Sequence, residues 1–264
     1  MIEVSGSYAS PCMHSEFDPD WLRPAWSVTG ARAVMTTRRG GVSQPPFDSM
    51  NLRDGLGAHP VATAHNRALV EVAMGVPLAS LNQVHGTRVV RLAAADLSPG
   101  AAIHDADACV TTELGLACGV QVADCLPVLF AAPGAVAAAH AGWRGLSAGV
   151  LEATLDALCA AAACEADQVQ AWLGPCIGPQ RFEVGAEVVA AFAAWPNTPM
   201  RWRQTQPDKW LVDLPGLARD RLRLRGVRQI SGGVWCTFSD ASRFFSYRRD
   251  GVTGRMVAAI WRGD

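Results

Sequence analysis

The chain has 264 residues, half of them hydrophobic and 18% charged, with a formal net charge of −1. That length is enough to bury a full core, and the balanced charge points away from a nucleic-acid or membrane-surface partner. Residues 1–25 read as a loose lead-in. After them, short apolar runs read as strands at Ala31–Thr36 and, beyond a helical pattern at Val61–Met74, at Val89–Leu92, Ala108–Thr111, Leu116–Val122, Val128–Ala132 and Ala135–Ala139. A longer helix is expected over Leu146–Ala162, where Leu146, Val150, Leu151, Leu155 and Leu158 share one face. A strand at Val169–Leu173, shorter helices at Ala186–Ala194 and Leu217–Leu224, and a last strand at Met256–Trp261 complete the series. Trp195–Lys209, with three prolines, reads as a surface excursion and not as a domain boundary. Strands outnumber helices and cluster, so the expected fold class is α+β, one domain over 1–264 with mixed sheets.

Met1–Asp20 lacks a basic start followed by an apolar stretch, so no secretion signal is expected. The longest apolar run, around Val128–Ala141, is too short to span a bilayer. The expectation is a soluble, cytoplasmic protein with no membrane partner. No pair of the eight cysteines has CxxC spacing, which argues against a structural zinc knuckle. A disulfide framework is not expected either. Cys109, Cys118, Cys159 and Cys164 read as small buried hydrophobes.

Three polar interruptions carry the chemistry. In His140-Ala141-Gly142-Trp143-Arg144-Gly145 a strand delivers His140, two glycines permit a tight turn, and a helix follows. Backbone N–H groups at a helix start favour an anion, and Arg144 could add a bidentate contact. The same composition also suits a plain strand-to-helix turn. In Ala123-Asp124-Cys125-Leu126-Pro127 a carboxylate and a thiol lie between apolar runs and must face something polar. Pro127 is expected to break or bulge the strand. Cys125 is then a thiolate ligand or nucleophile, or a packed cysteine beside a satisfied Asp124. In Asn82-Gln83-Val84-His85-Gly86 the glycine permits a turn after the histidine. Each interruption falls at an expected strand end. His, Cys and His form a borderline-soft ligand set that suits zinc, and three ligands leave a fourth position open, as catalytic sites do. Separations of 40 and 15 positions equally allow three unrelated polar residues.

Other clusters are less specific. Thr36–Ser43 could cradle an anion or form a basic turn, and Asp105 and Asp107 could serve as a general base or as caps. Ser246–Gly251, ending in Asp-Gly, suggests a tight hairpin turn. Gly174–Pro179 reads as a rigid loop.

In order and almost end to end, these motifs resemble the bacterial laccase-domain, or multicopper polyphenol oxidase-like, family. The resemblance runs through Thr37–Ser43, Asn51-Leu52, Asn82–Gly86, Asp105–Asp107, Ala123–Pro127, Ala139–Gly145, Gly174–Pro179, Phe182–Gly185 and Ser246–Gly251. It implies a single domain with two mixed β-sheets packed between helix layers. It implies zinc on His85, Cys125 and His140, with copper a secondary choice. The implied activity is purine nucleoside phosphorylase, acting on adenosine, inosine and S-methyl-5′-thioadenosine with phosphate, plus adenosine deaminase. Asp124 or Asp105 would shuttle protons. Arg38, Asn82, Arg144 and Arg248 would contact substrate, with Arg38 favoured for phosphate. One departure is visible: Ala58 and His59 stand where an acidic pair is expected, which bears only on a rim contact. The competing readings are a zinc- or cysteine-dependent amidase editing peptidoglycan precursors, a copper polyphenol oxidase, and a binding module without turnover. Six histidines, mostly outside the motifs, are a poor supply for several copper ions.

Overall fold

A strand that is apolar on both faces must be covered on both, and the central strands of this chain are of that kind. The structure, a computed structural model, describes residues 17–195 and 198–263. Its first half runs β1 (Ala31–Met35), α1 (Pro60–Met74), β2 (Leu81–Asn82), β3 (Val89–Arg91), β4 (His104–Asp105) and β5 (Ala108–Thr111). β6 (Ala117–Val122), β7 (Leu126–Ala132) and β8 (Ala135–Ala141) follow in quick succession. Then come α2 (Trp143–Ala148), α3 (Val150–Ala162), β9 (Gln170–Leu173), β10 (Glu183–Val184) and α4 (Ala186–Phe192). The last stretch holds β11 (Trp202–Gln206), β12 (Lys209–Val212), α5 (Leu214–Leu224), β13 (Gln229–Gly232), α6 (Tyr247–Asp250) and β14 (Met256–Arg262).

Six strands form a mixed sheet in the order β13-β9-β7-β8-β5-β3, and three form an antiparallel sheet, β1-β14-β6. Strand alternation explains how they stack. Along β8, Ala135, Ala137 and Ala139 join Leu151, Leu155 and Leu158 of α3 in one core, while Val136 and Ala138 face the β6 and β14 side chains in a second. Along β14, Met256, Ala258 and Ile260 enter that second core, while Val257, Ala259 and Trp261 meet Val70 and Met74 of α1 in a third. The order is therefore helix, sheet, sheet, helix, and the α+β expectation holds. The larger sheet is mixed and the smaller wholly antiparallel. Two minor sheets, β10-β12-β11 and β2-β4, accompany them. Fully buried Phe130 and Phe192 each stabilise the first core by roughly 1.5–3 kcal/mol. No helix among the described residues is long and apolar enough to cross a membrane.

Four local expectations need correction. The long helix is two, because Gly149 takes φ 100° and turns the chain between α2 and α3. Pro127 does not break its strand but sits inside β7 opposite His140, whose N–H donates instead to the Asp107 carbonyl at 2.7 Å. The excursion after Trp195 contains the β11–β12 hairpin, turning at Pro207 and Asp208. Ser246–Gly251 is not a hairpin turn but the one-turn helix α6, capped by Ser246, whose Oγ accepts from Arg249 N at 3.2 Å. Of the lead-in, residues 1–16 lie outside the described residues, whereas Trp21 is buried and Leu22 bridges to Met35.

Candidate metal centre

β6 and β7 belong to different sheets, so the chain must cross between them in three residues, Ala123 to Cys125. Asp124 makes the crossing at φ 94°, a conformation that is strained for a residue with a Cβ, by about 1–3 kcal/mol. Its own polar groups hold it there. Thr237 Oγ1 donates to Oδ1 at 2.5 Å, Arg248 N donates to Oδ2 at 2.6 Å, and Ile177 N donates to the carbonyl at 2.9 Å. Cys125 is thereby presented at the edge of the sandwich.

Asp107, wholly buried just before β5, organises the two histidines. Its carboxylate accepts from Val84 N at 3.1 Å, His85 N at 2.9 Å and Gly86 N at 2.6 Å, which fixes His85 in a left-handed turn at φ 62°. His140 Nδ1 donates to the same carboxylate at 2.8 Å. That bond keeps the proton on Nδ1 and leaves Nε2 as a lone-pair donor. Burial pushes the Asp107 carboxyl up, but hydrogen bonds from His140, Gly86 and His85 outweigh it and hold the group below its usual range.

One ligand atom from each of His85, Cys125 and His140 lies within 4.8 Å of the others. Cys125 Sγ is 3.8 Å from His85 Nε2, and the two imidazole rings meet edge to face at 4.8 Å. Burial raises the Cys125 thiol, yet the charge of His140 and hydrogen bonds from His140 and His85 bring it down to about 6. Burial lowers His140, yet Cys125 and Asp107 lift it to about 9. Each group of the pair is thus drawn toward its charged form by the other. Gly142 keeps the space open, since a Cβ there would stand 3.0 Å from His85 Cδ2 and 3.1 Å from Cys125 Sγ. The three residues can bind a metal ion.

Two hollows meet at Cys125. One, of about 370 Å³, is lined by His85, His140, Arg53, Arg255, Gln83 and Gln121. The other, of about 150 Å³, is lined by Trp143, Ile177, Phe182, Leu214 and Arg248. Tyr247 lines both. The sequence-derived ligands thus converge, and Asp124 and Arg248 stand beside them. Arg248 Nη1 donates to the Glu183 carbonyl at 2.6 Å and its guanidinium lies 5.6 Å from the Phe182 ring.

Other candidates are placed elsewhere. Arg38 is tied to Asp48 and to the Ala241 carbonyl and lies over Phe245. Arg144 is exposed and stacks on Trp143 at 4.4 Å. Asn82 lines a neighbouring hollow, with Nδ2 donating to Asp105 Oδ1 at 2.7 Å. Sequence reasoning missed Arg53, Arg255, Tyr247 and the part played by Asp107. The Asp105–Asp107 pair was a visible signal for the last. The arginines carried none, because they are far apart in the chain.

The family model described as multi-copper polyphenol oxidoreductase laccase matches residues 32–263. A Pseudomonas aeruginosa protein named purine nucleoside phosphorylase is 44% identical over 92% of this chain and 99% of its own length. The Escherichia coli purine nucleoside phosphorylase YfiH is 45% identical over 92% and 97%. Among solved structures, a Neisseria meningitidis protein superposes with TM-score 0.86 at 41% identity, over 93% of this chain and all of that one. YlmD from Geobacillus stearothermophilus superposes with TM-score 0.87 at 32% identity, over 92% and 96%. The match takes in every described strand and helix from β1 to β14 save the first residue of β1, and the chain belongs to the multi-copper polyphenol oxidoreductase laccase family.

Proposed function

We propose that the chain is a zinc-dependent purine nucleoside phosphorylase acting on adenosine, inosine and S-methyl-5′-thioadenosine, with adenosine deaminase as a side activity. The observation that carries this reading is the three ligand atoms within 4.8 Å beside two joined hollows, in a chain 44% and 45% identical to proteins of that name. A thiolate and two imidazoles suit zinc, and three protein ligands leave a position for substrate chemistry. Copper, which the family's description suggests, is the second choice for the same donors. When bound, the ion supplies Lewis acidity.

The chain's own residues supply the rest. Asp107 fixes the His140 proton at Nδ1. Phe182, Leu214 and Ile177 keep water from one side, and the Tyr247 ring offers a stacking face for a purine. In phosphorolysis a phosphate oxygen bonds to ribose C1′ as the C1′–N9 bond breaks. The electron pair leaves with the base, and the hydrogen phosphate proton ends on it. Deamination replaces the 6-amino group with a water oxygen and releases ammonia, which calls for a carboxylate to carry protons. Asp124 is the only carboxylate among the residues lining either hollow. Arg248, which lines the same hollow, would contact substrate.

One observation favours a second reading, amide cleavage with Cys125 as nucleophile. Asp107, His140 and Cys125 stand in the carboxylate, imidazole, thiol order that activates a cysteine. His85 weighs against it, because a nucleophilic triad has no use for a second imidazole 3.8 Å from the sulfur.

The test incubates purified protein of known metal content with adenosine, with and without phosphate. Adenine that forms only with phosphate is the expected result, and inosine without phosphate registers deamination. If neither forms, and an amino acid is released from a peptidoglycan precursor, the phosphorylase reading falls.

A further inference from the structure

The arginines that lie in the larger hollow are Arg53 and Arg255, and one buried side chain brings them together. Asn51 is fully buried. Its Oδ1 accepts from Arg53 N at 3.3 Å and from Arg255 N at 2.9 Å, while Nδ2 donates to the Arg53 carbonyl at 2.9 Å. Leu52 N donates to the Arg255 carbonyl at 3.0 Å, and Gln121 Nε2 donates to the Leu52 carbonyl at 2.7 Å. Gln121 is itself locked to Gln83 by a bond of 2.8 Å in each direction. The two arginines therefore rise from a rigid polar bracket, and Asn51-Leu52 gains a purpose.

Neither charge has a carboxylate in direct contact among the described residues. Other arginines without an ion pair, such as Arg219, Arg243 and Arg262, spend their guanidinium groups on backbone carbonyls away from this hollow, and Arg53 and Arg255 are the two that line it. Arg255 donates only to the carbonyls of Thr253 at 2.9 Å and Gly254 at 3.1 Å, and its guanidinium lies 5.8 Å from the Tyr247 ring. Burial, and then the charge of Arg53, push the Arg255 guanidinium below its usual range, and the more distant Cys125 and Asp124 offset this only in part. Holding two like charges together in a partly dry cleft is unfavourable, and an oxyanion between them reverses the sign of that interaction.

We infer that Arg53 and Arg255, bracketed by Asn51, form the phosphate subsite, holding the attacking hydrogen phosphate in the hollow that His85, Cys125 and His140 also line. The identity of the anion rests on the phosphorylase reading. The subsite also explains why Arg38 and Arg144, with their side chains committed elsewhere, are not needed for this role.

The test measures binding of inorganic phosphate by calorimetry, using metal-loaded protein without nucleoside, in the wild type, Arg53→Gln, Arg53→Lys and Arg255→Gln. Phosphate binding is expected to weaken roughly 10- to 100-fold in each glutamine variant. Phosphate KM should rise in parallel, nucleoside KM should move far less, and Arg53→Lys should recover part of the loss. Arg53→Gln is the decisive variant, because among the described residues the Arg53 side chain makes no hydrogen bond within the fold, whereas Arg255 anchors two carbonyls. Phosphate binding that is absent in the wild type, or unchanged in Arg53→Gln, overturns the assignment. So does a rise in nucleoside KM alone. Phosphate binding lost in the variants, in a protein that releases no base from any nucleoside, supports the subsite while the phosphorylase reading fails. Phosphorolysis with an unchanged phosphate KM in Arg53→Gln does the reverse.

Discussion

The two hollows that meet at Cys125 are made of opposite materials. The smaller is walled by Trp143, Ile177, Phe182 and Leu214, and the larger by Arg53, Arg255, Gln83 and Gln121. The first offers ring contacts and a low dielectric, and the second offers positive charge and fixed amide dipoles. A nucleoside and a phosphate differ in the same way. The contrast teaches that the cluster of His85, Cys125 and His140 is a boundary between two environments, with Cys125 and Tyr247 belonging to both.

The largest effect should come from removing what both sides share. Cys125→Ala is expected to lower metal affinity at least about a hundredfold, read by elemental analysis after dialysis, with activity falling in proportion. Asp107→Asn keeps all three ligands but places an amide where four donors converge. Metal affinity should drop about 10- to 100-fold in competition with a chelator. Tyr247→Ala separates the two sides. Tyr247 is 60% exposed, so the fold should tolerate the change, while nucleoside KM rises about tenfold and phosphate KM holds.

The smallest effect concerns pH. In the metal-free protein Cys125 titrates at about 6 against an ordinary 9.0, and His140 at about 9 against 6.5. The depressed thiol contributes stability that is lost as pH falls through about 6. The raised imidazole contributes stability that is lost as pH rises through about 9. Between pH 6.5 and 9 the folded pair holds one proton, on His140, and the unfolded chain also holds one, on Cys125. Stability should therefore be nearly flat there, because the proton counts match. Reactivity should not be flat: alkylation of Cys125 in metal-free protein should reach half its maximal rate near pH 6. A midpoint near the ordinary thiol value would break the proposed pairing with His140.

Much of this was legible in the sequence, and the exceptions have physical causes. β5, β6, β8 and β14 are short runs of small and branched apolar residues buried on both faces, and such runs announce themselves. The break at Gly149 was hidden because Leu146 and Val150 keep the apolar pattern across it, while the glycine reverses the backbone. The β11–β12 hairpin was hidden because Arg203–Gln206 and Lys209 are exposed and polar, while the apolar residues that reach the first core, Trp202, Trp210 and Val212, are too few and too widely spaced to show an alternating pattern. His85, Cys125 and His140 stood out as polar residues between apolar runs. Their convergence did not, because it depends on the crossing between sheets at Asp124. Arg53 and Arg255 were illegible for a related reason: what joins them is the Asn51 side chain, a tertiary contact with no local signature.

Asp107 has one further consequence, which is mechanical. Three backbone N–H groups of the His85 turn and the His140 ring all refer to a single carboxylate beside the six-stranded sheet, so the two imidazoles share one datum. Cys125 refers to a different one, Asp124, clamped by Thr237, Ile177 and Arg248. The cluster is therefore a vice whose two jaws are set by separate carboxylates, the histidines by Asp107 and the cysteine by Asp124. Loosening one carboxylate would displace its own jaw and leave the other in register.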